Sequence, residues 1–237
     1  MHDFWIINLI KDMAKKQTND AEKRLENVEG ALNTTESVLE KYQNQISWAL
    51  LVIILIIFGI FALNKYVLTP RAEKASYELS KAEFLFGEQN WQTALEGDGA
   101  ECIGFEGVID EFGSTDAGKV AKYYAGVCNF KLCKYEEAAD YLKSFSSKNQ
   151  NLNLEAKILL GDAQVELGDI EAAIATFQSV GKKNNAVFSP RALRKAGLAL
   201  ESIDRKADAL KAYQQIKDNF NTSSEARDID KDIARVK

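Results

Sequence analysis

The sequence predicts an all-α chain: a helical tail, one membrane-spanning helix and, behind it, a solenoid of helix-turn-helix repeats. Three observations predict it. The stretch ISWALLVIILIIFGIFAL, residues 46–63, carries no charge and lies between Lys41 and Lys65. Three segments beyond it align at one period. Ala, Leu, Glu and Lys dominate, with only two prolines and 14 glycines to interrupt helices.

The apolar stretch comes first because everything else is divided by it. A helix rises 1.5 Å per residue, so the run is long enough to cross a hydrocarbon core of roughly 30 Å. Trp48 and Tyr66 place amphipathic rings at the two headgroup levels, and Lys65 can snorkel at one edge. A buried helix of a soluble domain would show one polar stripe, which this run lacks. It starts well inside the chain and is followed by Ala62-Leu63-Asn64-Lys65 rather than a small-x-small cleavage site. The expectation is a transmembrane signal anchor over 46–66.

Before it lies a tail, residues 1–45. MHDFWIINLI sets Phe4, Trp5, Ile7, Leu9 and Ile10 ahead of Lys11, Lys15 and Lys16, a pattern for a short interfacial helix, while Met13 is an equally good start of the chain. From Ala21 to Ile46 apolar residues recur at steps of four and three: Ala21, Leu25, Val28, Leu32, Thr35, Leu39, Tyr42, Ile46. This is a heptad seam, Leu25, Val28, Leu32, Leu39 and Tyr42 carrying it, and it predicts a coiled-coil helix over about 21–46 that runs into the span and can form a homodimer. Gly30 and Thr35 interrupt the seam, so a single amphipathic helix lying on a partner or on lipid is the other reading.

The large domain is expected over 69–237. Thr69-Pro70 reads as an N-cap followed by proline at the first helical position. The repeats are AGVCNFKLCKYEEAADYLKSF from Ala125, LGDAQVELGDIEAAIATFQSV from Leu160 and AGLALESIDRKADALKAYQQI from Ala196. Gly126, Gly161 and Gly197 stand 35 and 36 residues apart, Ala138, Ala173 and Ala209 keep the same intervals, and Leu142, Phe177 and Tyr213 follow each alanine by four. The spacing resembles the tetratricopeptide pattern, in which small residues let helix A approach helix B and the large residue fills the gap to the next repeat. Repeats fall at about 117–147, 152–183 and 189–220, with Gly168 in a turn and Ser189-Pro190 opening the last helix A. A divergent copy spans 69–113, with Ala82, Trp91 and Ala94 in register. Gly97-Asp98-Gly99 interrupts its second helix, which resumes through Phe105, Val108, Ile109 and Phe112. Thr222-Ser-Ser-Glu225 is a capping box leading into a capping helix over 223–237.

Composition excludes several functions. With 30 Lys and Arg against 35 Asp and Glu, neither half has the basic excess that nucleic acid demands. Cys102, Cys128 and Cys133 form no CxxC pair and His2 is alone, so no zinc set is present; three small hydrophobes buried in helices is one reading, and a bridge from Cys102 to Cys128 or Cys133 in an extracytoplasmic domain the other. There is no phosphate loop, no GxSxG and no histidine beside a nucleophile. GDG at 97–99 lacks the spaced acids of a calcium loop and reads as a turn. No enzyme activity and no cofactor are expected. The inner face of the array is the expected protein-binding surface: Tyr123, Val127, Phe130 and Lys131, then Ile158, Asp162, Val165 and Glu166, then Arg191, Arg194, Leu198 and Glu201. It starts aromatic, turns acidic and ends basic, and it lacks the Lys/Asn/Arg clamp with which co-chaperone domains hold a C-terminal carboxylate.

A short tail, one span and a repeat domain directly behind it, with the wording ALEGDG…GFEGVIDEFGST and KYYAGVCNFKLCKYEEAADYL, resemble the YfgM-like family of ancillary translocon subunits, in its Bacteroidetes branch. The resemblance covers about 46–237. It implies an inner-membrane protein with a cytoplasmic N-terminus, whose periplasmic domain meets the SecYEG translocon, exported proteins and chaperones, and it brings no catalytic residues. Charge argues the other way. Lys41 alone lies just before the span, against Lys65, Arg71, Lys74 and Lys81 after it, which by the positive-inside rule keeps the domain in the cytosol; the rule weakens for long translocated domains. A translocon-side interaction subunit and a cytosol-facing scaffold that dimerises through its coil are therefore the two functional expectations.

Overall fold

The computed structural model describes residues 42–45 and 47–237. The interfacial segment, the alternative start at Met13 and the seam residues Leu25, Val28, Leu32 and Leu39 lie outside them. Two compact units divide between Lys65 and Tyr66. In the first, one helix is long and apolar enough to cross a membrane, and its side chains from Trp48 to Leu63 are almost all exposed.

The second unit consists of paired helices in chain order: α1 (Thr69–Gly87), α2 (Trp91–Glu96), α3 (Gly104–Phe112), α4 (Asp116–Lys131), α5 (Tyr135–Ser144), α6 (Gln150–Glu166), α7 (Ile170–Gly181), α8 (Phe188–Ser202), α9 (Lys206–Asn219) and α10 (Ile229–Val236). Each helix from α3 onward packs on the next. No strand occurs among the described residues. This is an all-α fold in which core passes from repeat to repeat: Leu79, Phe105, Val108 and Phe112 under α4, Leu142 and Phe145 against Ala156, Phe177 and Val180 against Ala192 and Ala196, and Tyr213 and Ile216 against Ile229 and Ile233. Full burial of such side chains contributes about 1.5–3 kcal/mol each.

Within a repeat, α4/α5, α6/α7 and α8/α9 are the helix A/helix B pairs. The spacing rule has a direct structural cause. A Cβ on Gly126 would sit 2.7 Å from Leu142, and Gly161 and Gly197 are covered in the same way by Phe177 and Tyr213. The large helix B residue therefore lies over the glycine of its own repeat, a closer relation than the expected filling of the gap to the next one. Ala138, Ala173 and Ala209 are all fully buried.

Each A-to-B turn closes alike. Cys133 donates its backbone N–H to Phe130 and Lys134 to Asn129; Gly168 and Asp169 repeat the pair toward Val165 and Gln164, and Asp204 and Arg205 toward Glu201 and Leu200. Gln89 and Asn90 do the same toward Phe86 and Leu85. The residue in left-handed backbone is Gln89 (φ 61°), Cys133 (59°), Gly168 (80°) or Asp204 (59°). By this signature α1/α2 is a first repeat. Its extra length is the loop from Gly97, where Asp98 Oδ1 accepts from the backbone N–H groups of Ala100, Glu101 and Cys102 at 2.9 Å, holding that carboxyl below its usual range.

Helix starts differ from expectation in three places. Thr69-Pro70 stands where α1 begins, with proline in its first turn, but Leu68 before it is already helical (φ −74°, ψ −41°), so the N-cap position falls on Leu68 and not on Thr69. A π-helical turn, Asn64–Leu68, precedes the proline and adjusts the ladder where its missing N–H would break it. Before α8 the capping oxygen is that of Asn185, which accepts from Val187 and Phe188; Ser189 is buried instead and donates to Val180 O at 3.0 Å. At the C-terminus Ser223, not Thr222, accepts from a backbone N–H, that of Ala226, and caps a short 3₁₀ turn ahead of α10. The cysteines differ too. Cys102 and Cys128 are buried, the latter's thiol pushed up to about 12 by desolvation, but Cys133 is exposed at its turn and all three are free thiols.

Candidate partner-binding groove

Helices α4, α6 and α8 each bury one face in the core. On another face, residues three and four apart line up. Tyr123, Val127 and Phe130 lie on α4, Ile158, Asp162, Val165 and Glu166 on α6, and Arg191, Lys195, Leu198 and Ser202 on α8. They form two adjoining grooves. The first, of about 380 Å³, is lined by Tyr123, Val127, Glu155, Ile158, Leu159, Asp162, Arg191 and Lys195. The second, of about 400 Å³, is lined by Phe130, Asp162, Val165, Glu166, Phe177, Lys195, Leu198, Ala199 and Ser202. Asp162 and Lys195 belong to both.

The charges between α6 and α8 are paired across the repeat boundary. Lys195 Nζ donates to Asp162 Oδ1 at 2.8 Å, and Arg191 pairs with Glu155. Burial raises the Asp162 carboxyl above its ordinary value despite the pull of Lys195 and Arg191. Burial, helped by Glu155, pushes the Tyr123 phenol up to about 12, so it is a neutral hydrogen-bonding ring at working pH. The Arg191 guanidinium lies 5.3 Å from the centre of the Phe188 ring, and its buried Nε has no hydrogen-bond partner among the described residues. The grooves thus offer apolar and aromatic walls with neutralised charge pairs. Among the described residues no cluster of three His, Cys, Asp or Glu side chains could hold a metal ion.

Of the residues expected on the inner face, the structure brings together Tyr123, Val127, Phe130, Ile158, Asp162, Val165, Glu166, Arg191 and Leu198. It leaves three outside. Lys131 is exposed at the end of α4 and lines neither groove. Arg194 turns toward the C-terminal cap, where its Nε donates to Asp232 Oδ2 at 2.8 Å and neutralises an almost wholly buried carboxylate. Glu201 accepts from Arg235 of the same cap at 2.7 and 2.8 Å, and from the Tyr213 hydroxyl. The expected gradient from acidic to basic is therefore not a field across the surface, because acids on α6 meet bases on α8. Glu155 and Lys195 were missed. Their signal is an opposite charge one repeat away, as in Glu155 to Arg191 and Asp162 to Lys195.

The tetratricopeptide repeat-like domain matches residues 37–235, most of the chain. The chain belongs to that family. The matched region takes in the apolar helix as well as the tetratricopeptide array, so both fall within one family domain. Tetratricopeptide domains are generally non-catalytic protein-interaction modules, and the grooves between helices A are surfaces of the kind such modules use. No curated protein matches the chain.

Proposed function

We propose that the protein is a non-enzymatic, membrane-anchored interaction subunit associated with the Sec translocon, its tetratricopeptide array held on the periplasmic side of a bacterial inner membrane to contact exported proteins or their chaperones. The observation that carries the interaction role is the pair of adjoining grooves on three consecutive helices A, with Tyr123, Phe130 and Arg191 as aromatic and arginine anchors. The apolar helix supports anchoring, and the resemblance to ancillary translocon subunits supports the site of action. The tail seam through Leu25, Val28, Leu32, Leu39 and Tyr42 adds a homodimer contact, which replacing Leu32 and Leu39 with Asp abolishes. Photo-crosslinking from position 123 or 130 in living cells tests the reading: translocon subunits, periplasmic chaperones or exported chains are the expected products, and cytosolic proteins alone overturn it.

A second reading, a cytosol-facing scaffold, is favoured by Lys65, Arg71, Lys74 and Lys81 on the domain side of the span against Lys41 on the other. Cys133 decides between them without an engineered site, since it is the exposed cysteine and Cys102 and Cys128 are buried. Labelling of intact outer-membrane-permeabilised cells with a membrane-impermeant maleimide modifies Cys133 if the array is periplasmic. Protection until the inner membrane is broken supports the scaffold.

A further inference from the structure

The chemistry of the occupant follows from what the second groove leaves unpaired, an inference that rests on the interaction role proposed above. Its floor is apolar, with Phe177 and Ala199 buried at the base and Val165 and Leu198 exposed at the rim, the latter 47 %. A cleft of about 400 Å³ is within the roughly 300–1,000 Å³ typical of ligand sites. The two grooves are lined by the acids Glu155, Asp162 and Glu166 and the bases Arg191 and Lys195. Glu155 is paired with Arg191, and Asp162 with Lys195. Glu166 is left, exposed beside Val165, with no ion pair among the described residues.

We propose that this groove takes a peptide segment carrying a large apolar side chain next to a lysine or arginine, the apolar group entering between Val165, Leu198 and Ala199 and the cation meeting Glu166. An acidic segment is disfavoured on the same ground. Burial already makes ionisation of Asp162 costly, and a further carboxylate would add like-charge repulsion to that site.

The test uses the full-length protein in nanodiscs and two fluorescein-labelled peptides, GGLFKGG and GGLFEGG, read by fluorescence anisotropy. The lysine peptide is expected to bind more tightly. Glu166→Gln should weaken it about threefold, as suits an exposed charge pair, and Glu166→Lys should reverse the preference. Leu198→Asp should weaken both peptides about tenfold or more. Both positions are exposed, so unchanged thermal melts are the folding control. Equal affinity of wild type for the two peptides, or a preference that Glu166→Lys does not alter, overturns the charge assignment; loss of both peptides in Leu198→Asp would still leave the groove as the binding surface. Binding indifferent to Leu198→Asp, or no binding of either peptide, overturns the groove as their site.

Discussion

At the turn between helices A and B one side-chain-bearing residue in three of the four repeats pays the steric cost of left-handed backbone, and only Gly168 avoids it. Gln89 is exposed in the turn between α1 and α2, and its turn bond, to Phe86, is made by its backbone N–H, so its side chain is dispensable there. Gln89→Gly is therefore expected to stabilise the array by roughly 0.5–1 kcal/mol, and Gly168→Ala to cost a similar amount. Chemical denaturation of the two variants measures both signs, and a Gln89→Gly change that destabilises would contradict the turn geometry. At this scale the sequence was most legible where a residue's size is its role. Gly126, Gly161 and Gly197 and the large residues above them could be found by period alone. Arg194 could not be placed, because its partner Asp232 stands 38 residues on, in a cap helix outside the three aligned repeats.

A repeat is a unit only while its two helices touch along Ala138, Ala173 or Ala209. Ala173 is fully buried in the cluster of Leu154, Ile158, Phe177 and Val180, with no room for an indole. Ala173→Trp should cost about 1–3 kcal/mol or more by overpacking and loosen α6/α7 from both neighbours; a melting temperature equal to wild type would refute the contact. Electrostatics joins α8 to α10. Arg235, first, and the Tyr213 hydroxyl hold the Glu201 carboxyl below its ordinary value of 4.5, while desolvation opposes them. A depressed carboxylate contributes stability above its unfolded pKa and loses it as pH falls through the folded one. Glu201→Gln should hence lower the melting temperature at pH 7 and converge with wild type in acid, once pH has fallen through the depressed folded-state value. A gap that persists in acid would assign the loss to packing. Helix existence was readable from repeat period, but helix starts were less so. Thr69-Pro70, Ser189-Pro190 and Thr222–Glu225 all carry start signals, yet the cap position falls on Leu68 in the first and the capping oxygen on Asn185 and Ser223 in the others, because tertiary contacts decide among neighbouring capping residues.

Over the whole array, α10 closes what would otherwise be an open end. Ile229, Ile233 and Val236 cover Tyr213, Ile216 and Leu200, so a chain ending at Asp228 should melt earlier and aggregate, as light scattering during heating would show; unchanged solubility and stability would mean that α9 is self-sufficient. The recurrent cross-repeat pairs, Asp116 to Lys148, Glu155 to Arg191, Glu171 to Arg205 and Glu201 to Arg235, also have a mechanical meaning. Asp116 to Lys148 ties α4 to the connection between α5 and α6, two fasten a repeat to the next, Glu201 to Arg235 fastens the last repeat to the cap, and none reaches beyond its neighbour. A chain held before α1 and pulled from Lys237 would bear load in series on these pairs and, mainly, on the buried contacts beside them, opening from the cap inward. It would yield in steps of one repeat, each releasing about 110–130 Å of extended chain, and so act as a graded extensible tether rather than a body that ruptures once.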